Sequence, residues 1–321
     1  MHLELVEGWA ASRSLRTEWS LEYTRSRVIY IPAYAKLNLA LSIIGRRPDG
    51  RHDLRSVVVH VDWHDLVGVE RTPPGSPPSL VLTGERGADT PPDGSNLVLR
   101  AAVAMIAGPD QPGVRVALEK RIPVAAGLGG GSADAAAAIR LLAPPEPRGE
   151  RRRLEALLAV AGSLGSDVPA CLAGGTLLVG GAGERLDRLE HREVHLAVAV
   201  AGRSSTAATF AALDPSEWRG PGRPEELARR LRAGEPPDPA LCGSDLEAAA
   251  CRANPRLAAG LAGLRAATPA APWHLTGSGG ACFALARGPG EARRLAAAAV
   301  ATGLPARACR TVPAPAGWGV P

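Results

Sequence analysis

Pro123-Val124-Ala125-Ala126-Gly127-Leu128-Gly129-Gly130-Gly131-Ser132-Ala133 is the stretch from which the rest of the chain is read. A strand-like run, Val114 to Glu119, leads into it, and an alanine-rich helical segment, 132–143, leaves it. A glycine turn that feeds a helix N-terminus gathers unpaired amide donors at the positive end of the helix dipole, which suits a phosphate. The glycines at 127, 129, 130 and 131 let the backbone come close to such a ligand. A Walker loop is excluded, because no Gly-Lys-Ser/Thr follows. A dinucleotide fingerprint fits poorly, since Ser132 stands where the third glycine belongs and a Pro-rich break, 144–150, follows the helix. A merely flexible loop is disfavoured by the good helix former that follows at once.

Working outward, Arg27 to Ile44 alternates apolar and polar residues and ends in the turn Arg47-Pro-Asp-Gly50. Leu54 to Glu70 reads as one or two further strands, and Ser95 or Asp93 is placed to cap a helix over Asn96–Ala107. A helix over Arg151–Ser163 closes the first half. Beyond Arg188 come a strand at His195–Ala201 and helices at 224–233, 244–250 and 255–267. A β-hairpin, Trp273–Leu275 with Cys282–Ala286, and a last helix, 290–302, complete the pattern. Strands and helices interleave without a strict βαβ beat, which predicts an α+β architecture. The expected division is an extension over 1–28, a first domain over 29–188, a second over 189–310 and a tail over 311–321.

The composition narrows the function. A net charge of +5 with eleven aromatics offers no base-stacking platform, and arginine runs such as Arg151-Arg152-Arg153 read as solvated helix faces. No apolar window is long enough to span a bilayer, and five scattered cysteines without a CxxC pair speak against a disulfide or zinc scaffold. The expectation is a cytoplasmic protein that binds neither nucleic acid nor membrane. His60 and His64 lie in a strand-like run and read as structural. Of 37 basic residues only Lys36 and Lys120 are lysine, so a site that needs a compact ammonium has two places to find it.

The glycine stretch resembles the phosphate-binding loop of the GHMP kinases. Pro32-Ala-Tyr-Ala-Lys36-Leu-Asn38-Leu is similar to that family's first motif, and Leu275-Thr-Gly277-Ser278-Gly279-Gly-Ala-Cys-Phe283 to its third. Gly45-Arg-Arg-Pro-Asp-Gly-Arg51-His52-Asp-Leu and Leu164-Gly-Ser-Asp167-Val-Pro narrow the likeness to the members that act on a cytidine-diphosphate-linked methylerythritol. The resemblance covers about residues 30–290 and implies a two-domain fold with the active site in the interdomain cleft. It implies transfer of the γ-phosphoryl group of ATP, with Mg²⁺, to the 2-hydroxyl of that small-molecule acceptor in isoprenoid precursor synthesis. Lys36 and Asp167 align with the catalytic lysine and aspartate, residues 123–133 with the ATP loop, and Lys120 and Asn96 with residues near the nucleotide.

The chemistry stands beside the resemblance: phosphoryl transfer to an alcohol needs a proton acceptor and positive charge near the reacting oxygens. Ser132 is the candidate Mg²⁺ ligand, with helix capping as its second reading; Asp134 reads as a complement to the helix dipole. On the acceptor side stand Asn38, Arg51, His52, Thr206, Phe210, Gly277, Ser278 and Gly279. The family places an aromatic residue before His52, where this chain has Arg51, whose planar guanidinium can also stack on a base opposite Phe210. Two other readings stay open. One is a GHMP kinase for another small alcohol of homoserine or mevalonate type. The other is an idle GHMP-fold binding protein.

Overall fold

The structure is a computed structural model and describes residues 28–106, 112–143 and 150–316, with backbone alone for 150–152. Most of the expected extension, the Pro-rich break at 144–149, the end of the tail and the side chains of Arg151 and Arg152 lie outside the described residues. The first half runs β1 (Tyr30–Arg46), β2 (His52–Pro74), β3 (Ser79–Thr83), α1 (Leu97–Met105), β4 (Pro112–Glu119) and α2 (Gly130–Leu142). It continues through α3 (Glu150–Leu164), α4 (Val168–Ala173), β5 (Thr176–Gly181) and β6 (Arg185–Arg188). The second half runs β7 (His195–Val200), α5 (Thr206–Ala211), α6 (Gly222–Arg232), β8 (Gly243–Ser244), α7 (Glu247–Ala253) and α8 (Pro255–Ala267). It ends with β9 (His274–Leu275), β10 (Ala281–Ala286), α9 (Pro289–Ala301) and β11 (Ala306–Arg310).

Two sheets organise these elements, one of seven strands and one of four. β2 is a single strand, long enough to hold β1 antiparallel along one edge and both β5 and β4 along the other. The four-stranded sheet has the order β11-β7-β10-β9. Ala35, Leu37 and Leu39 of β1 join Val57, Val59 and Val61 of β2 in a core shared with Leu196, Val198 and Phe283 of the second sheet. The first sheet's remaining apolar face, with Val67, Val116 and Leu118, is covered by α1 and α2. α8 and α9 cover the outer face of the second sheet through Leu257, Leu261 and Leu295.

The alternation in β1 therefore does not mean one face in water. Residues 35–43 are buried throughout, Lys36 and Asn38 included. Local corrections follow from side-chain chemistry. The cap of α1 is Asn96, whose Oδ1 accepts from the Val98 amide, whereas Asp93 accepts from Ser95 in the preceding turn. Helix α2 begins at Gly130, two residues before the expected start. Residues 243–244 extend the first sheet beside β1, so the helix expected from 244 starts at Glu247.

His60 sits on β2 directly opposite Lys36, and its Nδ1 donates to the Gly175 carbonyl at 2.9 Å. Burial pushes its imidazole down to about 4, and the charges of Arg140, Lys36 and Arg188 act in the same direction. The folded protein thus holds His60 neutral, while the unfolded chain takes up a proton near the ordinary value of about 6.5. Stability from this residue is complete above that value and is lost as pH falls toward 4. Between pH 7.5 and 5 the loss should be on the order of 2 kcal/mol. Urea midpoints of wild type and His60→Gln at the two pH values check this: the variant should show a flatter pH dependence.

Candidate active site

β1 delivers Lys36 and Asn38 to one side, because alternate residues of a strand share a face. Lys36 Nζ donates to Asn38 Oδ1 at 2.8 Å, and Asn38 Nδ2 donates to Ser56 Oγ at 2.8 Å. Ser56 in turn donates to the Ala40 carbonyl, and the Asn38 amide donates to Thr276 Oγ1 at 2.7 Å. The lysine is thus held by a chain of satisfied buried polar groups, the arrangement that fixes a side chain in one place. Its ammonium lies 3.3 Å from Asp167 Oδ2. Asp167 occupies the N-cap position of α4 but makes no side-chain cap bond, so its half-exposed carboxylate is left for Lys36 and the cavity beside it.

Glycine is demanded here by the protein's own packing. A Cβ at Gly129, where φ is +66°, would stand 2.7 Å from Lys36 Cγ. One at Gly127 would stand 2.1 Å from the Gly279 carbonyl oxygen, and one at Gly280 2.5 Å from Ala126 C. The two glycine loops therefore lie back to back, with Lys36 beneath one and Gly277 of the other 3.0 Å from Asn38 Oδ1 by the same measure. Gly131 differs: it is exposed, with only Leu97 near the place its Cβ would take.

Two cavities meet at this point. One of about 300 Å³ is lined by residues 123–132 together with Asn96, Lys120 and Asp134. The other, of about 600 Å³, is lined by Lys36, Asn38, Asp167, Arg51, His52, Thr206, Phe210, Gly277 and Ser278. Half-buried Ser132, in the first turn of α2, lines both. Ala133 is buried behind it against α2's own core, and Gly279 packs on Leu257 and Ala250, outside the lining of either cavity.

The second lysine plays a different part. Lys120 is 3% exposed and is caught between Asp65 and Asp134, donating to Asp134 Oδ2 at 2.8 Å. Burial would lower its pKa, but the two carboxylates outweigh that and raise it. Burial raises the Asp134 carboxyl well above the usual range against the pull of Lys120. Asp134 is thus a buried partner of Lys120 lying past the first turn of α2, where the sequence suggested a complement to the helix dipole. Asn96, besides capping α1, donates from Nδ2 to the Pro91 carbonyl. Asp65, also hydrogen-bonded by the amides of Arg121 and Ile122, was missed; an aspartate inside an apolar strand was the available signal.

At the larger cavity Phe210 stacks on His52, ring centroids 4.7 Å apart at 23°, and Trp218 meets His52 edge-on at 6.1 Å. Arg51 lines the cavity with its guanidinium held by Asp49 at 2.9 Å. Thr206 and Ser278 share a hydroxyl–hydroxyl hydrogen bond of 2.9 Å, and the Ser278 carbonyl accepts from Ser204 and Thr209. Among the described residues no group of three or more His, Cys, Asp or Glu could hold a metal ion. No helix among them is long and apolar enough to cross a membrane.

Residues 96–175 match the family model described as the GHMP kinases N terminal domain. A 4-diphosphocytidyl-2-C-methyl-D-erythritol kinase of Nocardia farcinica is 39% identical over 297 residues, 89% of this chain and 94% of that protein. One of Cereibacter sphaeroides is 40% identical over 280 residues, 82% of this chain and 94% of that protein. The crystal structure of a 4-(cytidine 5'-diphospho)-2C-methyl-D-erythritol kinase superposes with a TM-score of 0.69 at 35% identity, covering 88% of this chain and 99% of the other. Homoserine kinase from Cytophaga hutchinsonii shares the fold, with a TM-score of 0.63 at 16% identity over 92% of this chain and 98% of its own.

The packing at Gly129 generates a paired prediction. Gly129→Ala should displace Lys36 and strain the positive φ, lowering both kcat and melting temperature; Gly131→Ala should leave the melting temperature within about a degree, since Ala suits a helix and meets little there. Thermal unfolding and steady-state kinetics of the two variants provide the check.

Proposed function

The chain belongs to the 4-diphosphocytidyl-2-C-methyl-D-erythritol kinases, within the GHMP kinases, and from that premise we propose that Lys36 and Asp167 phosphorylate the acceptor's 2-hydroxyl with ATP. The observation that carries the assignment is the 3.3 Å pair of Lys36 and Asp167 on the wall of the larger cavity, with Ser132 common to both cavities. ATP takes the smaller cavity, its phosphates over the amides of residues 127–132, and the acceptor takes the larger one. The proposed division of labour follows residues 29–188 for the nucleotide side and 189–310 for much of the acceptor side.

The hydroxyl lies within reach of both groups. Asp167 accepts its proton as the oxygen bonds to the γ-phosphorus, the bond to the β-phosphate oxygen breaks, and ADP leaves. Lys36 places a compact positive charge beside the oxygen that is losing its proton. Asn38 fixes the direction of that ammonium. Ser132 and the nucleotide's own phosphate oxygens fit Mg²⁺, which usually binds through few protein ligands; Mg²⁺ would neutralise charge on the phosphates when bound. Phe210 and Arg51 offer planar faces and His52 ring nitrogens to a cytosine, and Thr206 and Ser278 offer hydroxyls to the remainder of the acceptor. Its product enters isoprenoid precursor synthesis by the non-mevalonate route, in the cytoplasm.

Purified protein given ATP and 4-diphosphocytidyl-2-C-methyl-D-erythritol should form ADP and a product with a new phosphate on carbon 2, seen by phosphorus NMR. Turnover of homoserine or mevalonate without turnover of the cytidyl compound would overturn the assignment. Lys36→Arg should lose on the order of 10²–10³ in kcat, because the longer fork displaces the alcohol from line with phosphorus. Asp167→Asn should be at least as damaging, with ATP affinity and melting temperature little changed in either. Near-normal kcat in Lys36→Arg would show that the lysine supplies only a diffuse charge.

A further inference from the structure

We infer that Arg46 is the residue that recognises the anionic diphosphate of the acceptor. The inference rests on the proposed function for the nature of the acceptor, and on the local geometry for the residue. Arg46 is the last residue of β1 and pairs in register with His52, so the two side chains rise from the same face of the sheet. It lines the larger cavity together with Arg51, His52 and Phe210.

Its charge is uncompensated, unlike that of its neighbours. Arg47 is 2.8 Å from Glu184 and 3.3 Å from Asp49, and Arg51 is 2.9 Å from Asp49. At the reacting end Lys36 is matched by Asp167. No carboxylate of the described residues pairs with Arg46, which leaves it as the surplus cation of the cavity wall. The effect is felt by the base-binding ring beside it: burial, and then the positive charge of Arg46, lower the pKa of His52. A cavity built for a neutral alcohol has no use for an unpaired guanidinium beside its aromatic end. An acceptor that joins a base to an alcohol through two phosphates does, because a guanidinium can hold phosphate oxygens through two parallel N–H donors.

The test compares cytidine, CMP and CDP as ligands, by calorimetry or as competitors of the acceptor. Wild type should bind CDP more tightly than cytidine, and raised salt should narrow the gap. Arg46→Gln should reduce the preference for CDP about tenfold while the affinity for cytidine stays within twofold. Arg46→Lys should keep part of the preference, since it keeps the charge and loses the fork. The KM of the acceptor should rise in Arg46→Gln and that of ATP should not. An unchanged preference for CDP in Arg46→Gln would overturn the inference and leave the assigned reaction standing. Wild type that binds neither cytidine nor CDP would overturn the assigned acceptor and the inference with it.

Discussion

Everything at this site depends on how closely Lys36 passes beneath Gly129. The lysine can be both buried and directed because the loop above it has no side chain at that point and its own amide is bonded to the Leu128 carbonyl. The loop in turn keeps its shape because Gly127 lies against Gly279 and Ala126 against Gly280. The strand, the first glycine loop and the late glycine loop are therefore three faces of one contact. None can shift by an ångström without moving the other two, since packed interiors answer displacement with clash rather than compliance.

The two lysines show how one residue type answers two needs. At Lys36 the ammonium reaches one half-exposed carboxylate and the cavity. At Lys120 it is sealed between Asp65 and Asp134, tying the end of β4 and the middle of β2 to the N-terminal half of α2. Removing such a buried cation strands two carboxylates, so Lys120 braces the first glycine loop from beneath as well as lining the smaller cavity. Gly130 belongs to the same brace, because a Cβ there would lie 2.9 Å from Lys120 Nζ.

Much of this was legible in the chain. The glycine turn before an alanine-rich helix announced the loop that lines the smaller cavity, and the rarity of lysine singled out Lys36 and Lys120. Asp167 was legible through its Gly-Ser-Asp-Val-Pro turn, although only the structure shows its carboxylate free of capping. What could not be read arises from pairings distant in sequence. β5 is a short apolar run identified as a strand by its partner β2, and β11 holds only two apolar side chains besides a cysteine and is a strand because it completes the second sheet beside β7. Asp65 and Asp134 are far apart in sequence and are brought together around Lys120. The contact of Trp218 with His52 likewise joins segments that no local pattern connects.

The burial of both lysines has a chemical consequence. In a chain with 37 basic residues, neither of its two ε-amino groups lies on the surface, Lys36 being 6% and Lys120 3% exposed. Acylating labels, which attack primary amines, find no exposed lysine among the described residues, where the outer positive charge is carried by guanidinium groups that they leave alone. Lys36 is the lysine that borders the larger cavity, so acylation of a side-chain amine and occupation of that cavity compete for the same space.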